Sequence, residues 1–236
     1  MGQSFFIWNG IDCRSKGVIM AGHAPIIRAE ERVKHIEIPG RAGDLTETEG
    51  ENIFNSYIQT VTINVLGAYN VRDIYKWLRG SGYVTFSAEP EKKQPARVIG
   101  AVTLNKLSHN MDIWAGEVQF YCQPLKENLR PIATTITTSG DVLNMGDVQS
   151  YPKITATAST TSMTVSAGGN TLTVTGLTAS TDYVIDCDTQ MITNTAGTAD
   201  YTLNSSGKFP VLNVGSNAVS GSGWSKLVID RKERFL

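Results

Sequence analysis

The stretch QPLKENLRPIATTITTSGDVLNMGDVQSYP, residues 123–152, separates two sequences of different character. Before it the chain is charged and mixed; after it the chain is rich in Thr, Ser and Gly. Residues 1–130 hold 15 Lys+Arg and 14 Asp+Glu, whereas residues 131–225 hold 2 and 6. Threonine runs the other way, from 6 in the first span to 19 in the second. So abrupt a shift marks two domains with different surfaces, predicted here as residues 1–130 and 131–236. Pro124 has no N–H to donate and ends the strand before it. Val142-Leu143-Asn144-Met145 reads as the first strand of the second domain, with Ile132 to Thr138 an extended lead-in. The hinge then falls at Leu125–Pro131.

The totals bound the function. A chain of 236 residues, 41% apolar and 18% charged, can hold two cores. A net charge of −1 does not suit a chain built to neutralise a phosphate backbone or an anionic membrane. No apolar run approaches the roughly 18–20 residues of a membrane span. Only Phe5 to Trp8 is apolar near the N-terminus and no basic segment precedes it, so no signal peptide is predicted. Phe6 stands where a myristoylation motif needs Ser or Thr. Cys13, Cys122 and Cys187 are odd in number and far apart, and read as buried thiols of a chain made in a reducing cytoplasm.

In the first domain, Phe5 to Trp8 and Ile11 to Cys13 flank Asn9-Gly10, the pair that a two-residue type I′ turn demands. Val18 to Met20 and Ile26-Ile27 read as short strands. Residues 30–52 then carry ten charges around the turn-rich Ile38-Pro39-Gly40-Arg41-Ala42-Gly43-Asp44-Leu45. Two glycines and a proline so close describe a bent excursion, either a solvated hairpin tip or an arm that contacts a neighbouring subunit. In the second case Pro39, Gly40, Arg41, Gly43, Asp44 and Leu45 form the contact. Gln59 to Leu66 alternates as a half-buried strand with Val61, Ile63 and Val65 inward. One helix follows, capped by Asn70, with Val71, Ile74, Tyr75, Trp77 and Leu78 as its apolar stripe and Gly80-Ser81-Gly82 as its stop. Tyr83 to Ser87, Arg97 to Leu107 and Asp112 to Cys122 complete a mainly β domain.

The second domain shows short strands broken by turn residues every 8–12 positions, the pattern of a β-sandwich. Ile154–Ala158, Ser162–Ser166, Thr171–Thr175, Tyr183–Cys187, Gln190–Thr193, Val211–Val214 and Lys226–Asp230 are its predicted strands. Gly168-Gly169-Asn170 and Gly215-Ser216-Asn217 read as turns, and Arg231 to Arg234 as a charged tail. Threonine favours extended backbone and keeps its hydroxyl wet, so this composition needs no special function.

Residues that carry chemistry are scattered. His23, His35 and His109 are isolated and sit in no metal-binding spacing. No serine completes a nucleophile elbow, and Gly207-Lys208-Phe209 is no phosphate-binding loop. Asp182, Asp186 and Asp188 lack the glycine and further acidic ligands of a calcium loop. The acids of the first domain alternate with Lys and Arg as on a solvated surface. No catalytic residue, metal or cofactor is predicted, and the chain is read as not an enzyme.

Taken in order, several segments resemble the distal tail proteins of long-tailed phages with non-contractile tails. They are Phe5 to Asp12, Ile38 to Leu45, Trp77 to Gly82, Val118 to Pro124, Leu143 to Gly146, Ser150 to Ile154, Tyr183 to Cys187, Phe209 to Asn217 and Leu227 to Arg234. The resemblance implies an N-terminal β-rich domain with one helix that closes into a ring, usually hexameric, and a galectin-like β-sandwich outside it. It implies a hub at the virion tail tip, made in the bacterial host cytoplasm. The expected partners are further copies of the chain, the tail tube protein, tail-associated, tail-fibre or receptor-binding proteins, and the tape measure protein. The ring would leave a channel for DNA, with neither sequence-specific nucleic-acid binding nor membrane insertion. Two other roles stay open: a saccharide-binding module, with Tyr151, Tyr183, Tyr201 or Trp224 as platform, and another tail structural protein such as a tube subunit. No His-Asn-Pro-Arg-type galectin motif is present, and Trp224 stands alone between Gly223 and Ser225.

Overall fold

The computed structural model describes residues 4–48, 50–67, 70–107 and 111–236. Contacts divide the chain into two compact units, Met1–Leu129 with Leu236, and Arg130–Phe235. Strands dominate both, and the described residues contain one α-helix.

The first unit begins with a hairpin, β1 (Phe6–Trp8) and β2 (Ile11–Asp12). Asn9 and Gly10 take φ of 50° and 78°, so the turn has the positive-φ pair of type I′ that matches strand twist. There follow β3 (Val18–Met20), β4 (Val33–Ile36), β5 (Leu45–Thr48) and β6 (Tyr57–Leu66). After the helix α1 (Val71–Trp77) come β7 (Ser81–Phe86), β8 (Lys92–Lys106), β9 (Ile113–Cys122) and β10 (Lys126–Asn128). Seven strands form one antiparallel sheet in the order β2-β1-β7-β8-β9-β6-β3, and β10 adds to β8. The alternation of β6 holds, with Val61, Ile63 and Val65 buried. Phe120 centres the core, its ring 5.5 Å from Phe6, 5.4 Å from Trp8 and 5.9 Å from Phe86. Edge-on and tilted contacts of this kind add to the area that four large side chains remove from water.

The helix packs on this cluster. The Asn70 Oδ1 accepts from the Arg72 N–H at 3.0 Å, satisfying one of the free donors of the first turn. Ile74 and Leu78 are buried, and Val71 and Trp77 half-buried. Trp77 stacks on Phe6 at 5.6 Å and its indole donates to the Trp8 carbonyl at 3.3 Å. Tyr75 leaves the predicted stripe: it is 39% exposed and its hydroxyl accepts from the Leu104 N–H.

Three expectations fail here. Ile26-Ile27 pairs with nothing among the described residues, and Ile26 is 65% exposed behind Pro25. The helix ends at Trp77 and Gly80 follows it with φ of 78°, but Ser81-Gly82 opens β7 and takes no part in the stop. Gly82 is there for room: a Cβ would strike the Asn9 side chain, whose Oδ1 accepts from the Tyr83 N–H at 3.0 Å. Strand β8 starts at Lys92, five residues early, because Pro95 lies within it opposite Tyr83 without ending it.

The second unit has β11 (Ala133–Ile136), β12 (Gly140–Asn144), β13 (Lys153–Ala158), β14 (Ser162–Ala167), β15 (Asn170–Thr175) and β16 (Asp182–Asp186). It continues with β17 (Met191–Asn194), β18 (Ser205–Gly207), β19 (Gly215–Ser222), β20 (Trp224–Asp230) and β21 (Arg234–Phe235). Two five-stranded sheets form, β11-β20-β13-β16-β17 and β12-β19-β14-β15-β18. Their alternate residues meet in one core: Ile154, Ala156, Tyr183, Ile185, Leu227 and Ile229 from the first sheet, Met163, Val165, Leu172, Val174 and Val219 from the second. The Gly168-Gly169 turn has φ of 59° and 82°, and Gly168 also makes room for the Val211 backbone.

Here too the structure corrects the sequence. Residues 133–136 are a full strand: β11 pairs with β20 from Ala133↔Asp230 to Ile136↔Leu227, and so precedes β12 in the sandwich. Val211–Val214 makes only a bridge from Leu212 to Ser150, and the supposed turn Gly215–Asn217 opens β19. Asn217 lies inward and answers its own polarity. Its Nδ2 donates to the carbonyls of Asn213 and Gly215 at 2.7 and 2.9 Å, and its Oδ1 accepts from the Asn213 N–H at 2.8 Å. The charged tail is packed, not free. Glu233 is 2% exposed, its Oε1 accepting from the Met145 N–H at 3.0 Å, while Arg231 donates to the Leu143 carbonyl at 2.7 Å. The pair lies 3.3 Å apart and caps the free edge of β12, taking the place of a neighbouring strand.

Candidate assembly surfaces

Chemistry-bearing side chains do not converge. Among the described residues no group of three His, Cys, Asp or Glu could hold a metal, and no helix is long and apolar enough to cross a membrane. His23 meets Ser4 and His35 meets Thr46, while His109 lies outside the described residues. Asp182 accepts from the Thr157 hydroxyl. Asp186 accepts from the N–H groups of Asp188 and Thr189 and faces Lys232 at 3.4 Å; Asp188 pairs with Arg234 at 2.8 Å. Burial alone would push the Asp186 carboxyl up. The Lys232 charge and the two backbone donors outweigh it and hold the group below its usual value. Asp186 and Asp188 thus fasten the tail.

In the first unit, Glu89 bridges Lys126 at 2.7 Å and Lys92 at 2.9 Å. Burial again works against ionisation there, and the two lysines prevail. The thiols of Cys122 and Cys187 are pushed up to about 12 by burial, and that of Cys13 is raised by the same cause, so all three are inert.

Tyr151, Tyr183, Tyr201 and Trp224 do not form one exposed saccharide platform. Tyr183 is buried against Tyr201 at 4.9 Å, and the Trp224 indole donates to the Thr164 carbonyl. Tyr151 lies under the Arg234 guanidinium at 5.0 Å, at the rim of a groove of about 420 Å³ that it lines with Phe209, Gln149 and Asn170. Both amides are already used, Gln149 on Asn213 and Asn170 on the Phe209 carbonyl.

What the structure leaves open is surface for assembly. Strands β4 and β5 pair only with each other, from Val33↔Thr48 to Ile36↔Leu45. Their base is tied down by Arg32 N–H to Ile53 O at 2.9 Å and Asn55 N–H to Glu30 O at 2.8 Å, beside buried Phe54. Beyond that base nothing in β4, β5 or the loop between them is buried. Pro39, Gly40, Arg41, Gly43, Asp44 and Leu45 are all exposed, with Gly40 and Gly43 at φ 83°. A lone two-stranded hairpin is marginal in water. This one also shows apolar groups, Ile38 at 40% and Leu45 at 37% exposure. By contrast Val71, Ile74, Trp77 and Leu78 sit on the aromatic core, so the helix face serves the fold.

No family model matches the sequence, and no curated protein sequence does. Solved structures do. The Dit protein of phage SPP1, described as a paradigm of hub adsorption apparatus in phages infecting Gram-positive bacteria, superposes with a TM-score of 0.79 at 18% identity, covering 100% of each chain. The chain has the distal tail protein fold. Two structures of the phage P2 baseplate in its activated conformation, with Ca and with Sr, share this fold more distantly. Their TM-scores are 0.57 and 0.55 at 9% and 10% identity, over 100% and 99% of each chain. The likeness to the Dit fold covers residues of both units.

Proposed function

We propose that this chain is a structural hub of a phage tail tip. Copies close into a ring, hexameric as the resemblance implies, that joins the tail tube to the tail-associated or receptor-binding proteins and leaves a channel for DNA. The observation that carries this is the likeness to the SPP1 Dit hub over the full length of both chains. The role is assembly and not catalysis, at the virion tail tip after synthesis in the bacterial host cytoplasm. The first unit supplies the ring contacts through heterologous surfaces, each copy offering one patch to a different patch of the next. The second, galectin-like unit faces outward. The hairpin β4–β5 is the arm that reaches the neighbouring copy. Its exposure and its apolar tip support that role.

Native mass spectrometry of the full chain tests the proposal, with a single closed oligomer as the expected species. Replacing residues 38–45 by a short Gly-Ser link should abolish it; unchanged assembly would place the interface elsewhere. Immunogold labelling of virions should mark one site at the tail end, and label along the whole tail would indicate a tube subunit instead.

A further inference from the structure

The arm is charged oppositely to the rest of its own unit. Residues 30–51 hold seven acidic and three basic side chains, a formal −4, while the remainder of residues 1–129 holds seven acidic and eleven basic, a formal +4. An acidic arm with an apolar tip calls for a receiving surface that is apolar and cationic.

One row across the sheet meets both demands. Ser81, Arg97, Tyr121 and Ile58 stand opposite one another on β7, β8, β9 and β6. They lie out of step with buried Val84, Ala96, Cys122 and Gln59, on the face turned away from the Phe120 core. Ile58 is 51% exposed and Tyr121 40%; Tyr83, two residues along β7 from Ser81, is 44% exposed beneath the Lys93 ammonium at 4.6 Å. Arg97 is exposed and has no ion-pair partner among the described residues. Tyr and Arg are among the residue types that dominate binding at interfaces, and the exposed Ile58 beside Tyr121 adds apolar area to bury. The chain's own arm does not cover the row, since Ile38, Leu45, Ile58 and Tyr121 are all open in one copy.

We infer that the sheet face around Arg97, Tyr121 and Ile58 is the seat for the arm of a neighbouring copy; this rests on the arm-mediated ring proposed above. Ile38 and Leu45 bury against Ile58 and Tyr121, and the acids flanking them, Glu37 and Asp44, face Arg97. The contact joins two different surfaces and so propagates round a ring. Its charge makes assembly depend on salt, since screening weakens pairs at the rim of an interface.

Full-length chains carrying Leu45→Cys and Ile58→Cys are mixed and oxidised, Cys13, Cys122 and Cys187 being buried and silent. A disulfide-linked dimer should form in the mixture at least about tenfold more than in either variant alone. Equal yields in a sample that native mass spectrometry shows to be assembled would overturn the seat. Independently, Arg97→Glu should raise the concentration at half-assembly by about tenfold, the size of one lost and one repulsive charge contact. Asp44→Arg added to it should recover part of the loss. Should the Gly-Ser link abolish the ring while Arg97→Glu leaves it unchanged, the arm stands and its seat lies elsewhere. Should the link itself be harmless, or the native chain stay monomeric, the arm falls and the seat with it.

Discussion

Removing the Glu233 carboxylate should expose how much the edge cap of β12 contributes. In Glu233→Ala the Met145 N–H loses its acceptor and the Arg231 guanidinium, 12% exposed, loses the carboxylate 3.3 Å away. An unsatisfied N–H costs about 1–3 kcal/mol, and a buried ion pair broken on one side about 3–5 kcal/mol. The two losses share one group and do not add, so about 3–5 kcal/mol is expected for the whole. A domain of this size loses roughly 4 °C per kcal/mol, which puts the fall in melting temperature at roughly 12–20 °C. Calorimetry of the full chain measures it, the second unit's transition shifting while the first unit's stays. Glu233→Gln keeps the acceptor and the shape and should lose less than half as much. Replacing both partners, Arg231→Met with Glu233→Leu, should recover stability relative to the alanine variant, because no charge is then stranded. A loss under about 1 kcal/mol in Glu233→Ala, or a double variant worse than the alanine one, would refute the cap.

Three further outcomes follow from particular contacts. Gly82→Ala should cost about 1–3 kcal/mol in urea denaturation, with a smaller cost in an Asn9→Gly background where the obstructing side chain is gone; simple additivity would deny the contact. Glu89 is held below its usual carboxylate value, so its contribution is complete above the unfolded value of 4.5 and lost as pH falls through the lower, folded value. Glu89→Gln should therefore flatten the decline of stability below about pH 4.5, and an unaltered acid limb in thermal melts would count against the lysine bridge. Finally, a thiol reagent at pH 8 should label none of the three cysteines until denaturant is added. Prompt labelling of Cys187 would mean that the second core opens readily.

Regular alternation and turn chemistry carried most of what the sequence disclosed. Asn9-Gly10 and Gly168-Gly169 have few uses other than tight turns, and Val61, Ile63 and Val65 have one face to bury. The helix was visible because Asn70, Ile74 and Leu78 agree on cap and stripe. Failures came where polarity is satisfied locally or pairing is remote. Asn217 occupies an inward position and satisfies itself by short-range bonds to Asn213 and Gly215, so the start of β19 read as turn. Strand β11 is Thr-rich and its partner β20 lies some ninety residues away, a pairing no local pattern announces. Gly82 looked like punctuation because the side chain it accommodates sits 73 positions earlier. The exposed excursion was legible from its proline, glycines and charges, whereas the row Arg97–Tyr121–Ile58 exists only once three strands are in register.

The position of β20 has a bearing on how the chain comes into being. It is the last long strand of its unit, yet it lies inside the sheet, between β11 and β13. During synthesis the earlier strands emerge first. Until residues 224–230 arrive, β11 has no partner and β13 keeps an open side. The sandwich therefore cannot be finished piecemeal from its N-terminal side. A chain cut short before residue 224 leaves an unzipped sheet, conspicuous to chaperones and proteases. A sound second unit is thus attained only after residues 224–230 have been made.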